Sequence, residues 1–123
     1  MKATNMRSWN LNASDLKESV AFYRDLLGAE LRTEHQVRGV DVVRLLIDGF
    51  GIGLFDASAG DSEGVPHHTV SIDGPDDPEQ IKSEIEGKGI TVTEVRTHRD
   101  GVGFSLYVND PSGNRIELSH GEG

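Results

Sequence analysis

The sequence predicts an α+β fold built from two similar βαβββ modules. Three observations lead there. A strand-like run gives way to a helical period twice. Each helical period is followed by three runs of period two, and a Gly-, Ser- and Asp-rich break separates the halves. The 123 residues are expected to form one domain. Module one covers about 5–57, a linker about 58–66 and module two about 67–120.

In module one the run from Trp9 to Ala13 reads as a strand. Asp15 with Glu18 forms a capping-box pattern, with Ser14 competing for the cap. Leu16, Val20, Tyr23 and Leu27 follow helical spacing, Phe22 and Leu26 widen the stripe, and Gly28 stops it. Trp9, Phe22 and Tyr23 read as packing residues. The strand-like runs "AELRTEHQ", "VDVVRLLID" and "FGIGLFDA" follow, punctuated by Gly39, Gly49 and Gly51.

After the break "ASAGDSEGVP" the order repeats. "HHTVSID" is a strand. "DPEQIKSEIEGKG" is a helix with Asp77 as cap, Pro78 at its first position, Gln80 completing the box, and Ile81 and Ile85 as its apolar stripe. "ITVTEVRTH", "GFSLYVND" and "NRIELSH" are three more strands. Leu11 corresponds to Val70 at an offset of 59, and Gly28 to Gly89 at 61. Leu54 corresponds to Leu118 at an offset of 64, so the turns differ in length while the order is kept. One helix covers only one face of each four-stranded sheet. The two open faces are therefore expected to meet as a partial barrel around a central cleft, a natural ligand site.

Twelve basic and 21 acidic residues give a net charge of −9, with no basic cluster, so a nucleic-acid partner is not expected. No apolar run approaches a membrane span and the start of the chain lacks a signal-type apolar stretch. With no Cys, thiolate chemistry and disulfides are excluded. A cytoplasmic protein with no membrane partner is the expectation.

The paired modules, the segment "LNASDLKESVAFYRDLLGAEL" and the segment "YVNDPSGNRIEL" resemble the vicinal oxygen chelate superfamily. It includes glyoxalase I, extradiol dioxygenases, fosfomycin-resistance enzymes and bleomycin-resistance proteins. The resemblance implies a glyoxalase-like domain, a small organic ligand in the cleft and a homodimer. It also implies metal positions, with a His at the start of a module's first strand and a Glu on its last strand. In module two the last-strand position falls on Glu117, whose parity opposes Ile116 and Leu118. The first-strand position falls on His67, with His68 the alternative if the register slips by one. In module one the matching positions hold Ser8 and Gly53, where metal-binding relatives carry ligands. Two of four positions are filled, whereas a stable divalent site needs three or four protein ligands.

Around these positions the expected cleft lining is Ser8, Asn10, Arg44, Gly53, His67, Ser105 and Tyr107. Asn10 shares a face with Ser8. Arg44 sits among aliphatics, where it either reaches a partner such as Glu117 or a ligand carboxylate, or snorkels to solvent. Gly49, Gly51 and Gly53 share one face, either as a tight hairpin or as a pocket floor. His35, His98 and His120 read as surface residues.

Two functions fit. The first is a small-molecule-binding protein of the glyoxalase/bleomycin-resistance type, without the full metal site and without a defined cofactor. The second is an enzyme of the same superfamily, a lyase, isomerase or dioxygenase. It would use a divalent Zn, Ni, Mn or Fe on His67 and Glu117, or Glu117 as a catalytic base without metal.

Overall fold

The computed structural model describes residues 1–121. The chain runs β1 (Ala3–Ala13), α1 (Leu16–Ala21), a π-helical turn (Phe22–Leu26), β2 (Glu30–Val37), β3 (Val40–Ile47) and β4 (Phe50–Asp56). It continues with β5 (His67–Ile72), α2 (Pro78–Gly87), β6 (Glu94–Thr97), β7 (Phe104–Asn109) and β8 (Arg115–His120). This is the α+β order expected, strand–helix–three strands written twice. The residues gather into two compact units. One is Ser8–His67; the other combines Met1–Arg7 with the chain from His68 on. The first residues of β1 thus belong to one unit and its later residues to the other.

In the unit Ser8–His67 the strand order is β2-β3-β4-β1. β3 pairs antiparallel with β2 and β4, and β1 runs parallel to β4. Both hairpins close over two residues at positive φ, Arg38–Gly39 (52° and 81°) and Asp48–Gly49 (48° and 83°). That is the turn whose twist suits neighbouring strands. Period two then sends Val43, Leu45, Ile52 and Leu54 to one face, where they form a core with Ala13 and Ala29. Leu16, Val20 and Tyr23 from the helical segment pack against that core. Each fully buried aliphatic there contributes about 1.5–3 kcal/mol. Asp15, not Ser14, caps α1, its carboxylate accepting from the Glu18 amide at 3.0 Å.

Three expectations are corrected here. Strand β1 begins at Ala3 rather than Trp9. The helix does not run unbroken to Gly28, because the π turn takes over at Phe22. Wider winding moves residues off the 3.6 stripe, so Phe22, Leu26 and Leu27 are exposed. Trp9 is also 43% exposed. Its ring meets Phe50 edge-on, with centroids 5.3 Å apart, and is not enclosed by the core.

In the other unit the order runs from the first residues of β1 through β5, β8 and β7 to β6. The Asp73 amide donates to the Lys2 carbonyl at 3.0 Å, and Thr4 Oγ1 to the Ser71 carbonyl at 3.2 Å. β7 is antiparallel to both β6 and β8. Asp77 caps α2 through the Glu79 and Gln80 amides, and Pro78 opens the helix. Ile81 and Ile85 bury against Ile72, Val92, Phe104 and Leu106. β6 is shorter than the run from Ile90 predicts. Thr93 bonds the Tyr107 carbonyl through both its amide (2.8 Å) and its hydroxyl (3.0 Å), just ahead of the strand. Val92 turns into the core. Among the described residues no helix is long and apolar enough to cross a membrane.

Candidate functional site

Each unit carries a polar row on the sheet face opposite its core. In the unit Ser8–His67 the row is fixed by register. Arg44 lies opposite Gly53 on β4, and Gly53 lies opposite Asn10 on β1. Gly53 is buried, and a Cβ there would collide with Asn10 Oδ1 and stand 3.2 Å from Arg44 Nη1. The missing side chain is what lets Arg44 and Asn10 meet. Gly53 is therefore explained by close approach, and the hairpin needs positive φ only at Asp48 and Gly49.

Asn10 is 2% exposed and its orientation follows from chemistry. Arg44 Nη1 can only donate, so the side facing it, at a long 3.5 Å, is Asn10 Oδ1. Asn10 Nδ2 then faces His67 Nε2 at 3.0 Å and donates to it. His67 Nδ1 lies 2.9 Å from the Gly64 carbonyl, which can only accept. The ring is thereby set as the Nδ1–H tautomer, its Nε2 lone pair directed at the Asn10 amide. Asn12, next along the same face, holds the 58–66 stretch by donating to the Val65 carbonyl and accepting from the Ser62 amide, both at 3.1 Å. Ser8 shares this face, opposite Gly51.

In the other unit Glu117 lies opposite Tyr107, and Ser105 opposite Ser119. Thr69 Oγ1 donates to Glu117 Oε1 at 3.0 Å, and Ser105 Oγ donates to Oε2 at 2.8 Å. Ser105 is fully buried. Its hydroxyl also meets His98 Nε2 at 2.7 Å. Tyr107 is 3% exposed, and its phenol pKa is pushed up to about 12 by burial first and by the Glu117 charge second. Arg96 Nη1 approaches the phenol oxygen at 3.4 Å, and the Arg115 guanidinium lies 4.3 Å over the ring centroid. Arg7 donates to Ser119 Oγ at 3.0 Å and to the Gly121 carbonyl at 3.2 Å.

The expected residues thus fall into two groups: Asn10, Arg44, Gly53 and His67 in one unit, and Ser105, Tyr107 and Glu117 in the other. Sequence reasoning missed His98, which is half-buried rather than a free surface histidine. The available signal was Gly103, which ends its hairpin without a side chain. Among the described residues no three His, Asp or Glu side chains form a group able to hold a metal ion. Both ring nitrogens of His67 already face partners, Nε2 the Asn10 amide and Nδ1 the Gly64 carbonyl, which leaves the imidazole no lone pair for a cation. These residues do not fit a divalent metal.

The duplicated βαβββ module, with a helix over one sheet face and a row of polar side chains on the other, defines a paired-module α+β protein. Residues 6–118 match the Glyoxalase/Bleomycin resistance protein/Dioxygenase superfamily. The chain belongs to that superfamily. Similar solved structures include a hypothetical protein from Bacillus halodurans C-125, with a TM-score of 0.74 and 16% identity, covering 99% of this chain and 97% of that one. Methylmalonyl-CoA epimerase from Mycobacterium tuberculosis gives a TM-score of 0.73 at 17% identity, covering 98% and 90%. A superfamily member from Vibrio splendidus 12B01 gives 0.68 at 18%, covering 94% and 99%. No curated protein sequence matches the chain significantly.

Proposed function

We propose that the chain is a small-molecule-binding protein of the glyoxalase/bleomycin-resistance kind that takes an organic ligand without a metal ion. The observation that carries this reading is the chain Arg44–Asn10–His67–Gly64, which uses the imidazole to orient an amide rather than to hold a cation. The ligand would meet the polar row of Asn10, Arg44 and Gly53, with Ser8 beside it. The row of the other unit, Ser105, Tyr107 and Glu117, is taken by itself and offers a ligand an oriented carboxylate and a phenol that stays protonated. Small-molecule sites are of this kind, a few placed polar groups on an otherwise apolar scaffold.

The test is calorimetric titration of chelator-treated protein with two probes. Bleomycin comes from the superfamily's description, and methylmalonyl-CoA is the ligand of a structurally similar epimerase. Saturable binding of either, weakened by Arg44→Ala, supports the proposal. Binding only after a divalent metal is restored counts against it.

An enzymatic reading has one observation in its favour, the carboxylate of Glu117 held at both oxygens by hydroxyl donors. An oriented base of that kind could take a proton beside a carbonyl. Deuterium uptake from heavy water into methylmalonyl-CoA, abolished by Glu117→Gln, would favour the enzyme over the binding protein.

A further inference from the structure

We infer that His98 is a positioning residue for Glu117, acting through the Ser105 hydroxyl. The inference rests on the reading that Glu117 orients a ligand. A serine hydroxyl has one proton. A carboxylate can only accept, so the proton of Ser105 Oγ points to Glu117 Oε2 at 2.8 Å. The 2.7 Å contact on its other side is then donated by His98 Nε2–H, which makes a directed chain His98 to Ser105 to Glu117. A hydroxyl that accepts a hydrogen bond becomes a better donor in turn.

The hairpin between β6 and β7 is shaped to seat that imidazole. Gly103 is buried beneath the ring, and a Cβ there would collide with His98 Nδ1. Asp100 folds the loop by accepting from the Val102 amide at 2.8 Å and the Gly103 amide at 3.0 Å. The His98 amide closes it on the Gly103 carbonyl at 2.8 Å. With Thr69 fixing Oε1, the carboxylate is held at both oxygens, and the hold on Oε2 runs back through Ser105 to His98. His98 thus sets the direction of Glu117 without touching the ligand.

The experiment reads Ser105 directly in the full chain. Side-chain couplings and hydroxyl-proton NMR should show one Ser105 rotamer and a slowly exchanging hydroxyl in the wild type. His98→Leu should average the rotamer and speed exchange. His98→Gln, whose amide donates at similar reach, should restore both. An unchanged Ser105 in folded His98→Leu overturns the inference. If that variant does not fold, Ser105→Ala decides: the His98 ring should then lose its single Nε2–H tautomer, and a ring that keeps it overturns the inference. In binding, His98→Leu and Glu117→Gln should each weaken the bound probe by roughly threefold to tenfold, and together by no more than either alone. Additive losses overturn the inference and leave the binding function standing. If the wild type binds neither bleomycin nor methylmalonyl-CoA, the binding reading falls and the Ser105 rotamer alone decides.

Discussion

Asn10 donates its side-chain amide to Nε2 of His67 across 3.0 Å, and that contact is set by a residue with no side chain. Gly53 stands between Asn10 and Arg44 in the sheet register, so both can lean over it. Gly53→Ala should therefore destabilise the protein by about 1–3 kcal/mol through overpacking. The backbone there is ordinary, so the loss comes from the collision with Asn10 and not from φ. Chemical denaturation checks it. A stability equal to wild type would mean that Asn10 moves aside freely.

The His67 tautomer follows from its neighbours. Nitrogen NMR should find Nδ1 protonated and Nε2 bare, because Gly64 accepts from the first and Asn10 donates to the second. Asn10→Ala removes the donor to His67 and the acceptor for Arg44 at one buried position. It should cost about 1–3 kcal/mol in denaturant unfolding. A His67 ring protonated at Nε2 would invert the amide and contradict the network.

Tyr107 should resist alkaline ionisation. Its phenol is held up to about 12 by burial and by Glu117. Ultraviolet titration of the phenolate should show one late-ionising tyrosine, brought to lower pH by Glu117→Gln. The linkage sign is fixed. Between the ordinary value of 10.0 and about 12 the folded chain holds a proton that the unfolded chain has released. This contribution to stability is complete below pH 10.0 and is lost as pH rises toward 12.

The cap of α2 gives a prediction outside the site. Asp77 accepts from the Glu79 amide at 3.0 Å and the Gln80 amide at 3.4 Å. Asp77→Ala should lower stability by about 0.5–2 kcal/mol, measured by thermal unfolding, and leave binding of either probe unchanged.

The fold was legible because its signals are local. Period two across β3 and β4, the caps Asp15 and Asp77 and the Gly stops at Gly28 and Gly89 all act within a few residues. The duplication added a second copy of each signal. The parity of Glu117, Ser105, Tyr107 and Arg44 was legible for the same reason. The role of His98 was not, since it depends on a hairpin that seats the ring against Gly103 and on a hydroxyl seven residues away. The exposure of Trp9 and Phe22 was hidden as well. A helical stripe does not announce where a π turn will rotate it, and a strand residue's parity does not say whether its ring is enclosed.

His67 spends both ring nitrogens inside the protein, on Asn10 and Gly64, and not on a metal ion. The most direct test is the metal content of the purified chain and of Glu117→Gln after equilibration with Zn, Ni, Mn and Fe ions. Both should hold substoichiometric metal, in equal amount. One metal ion per chain in the wild type, lost in Glu117→Gln, would contradict it.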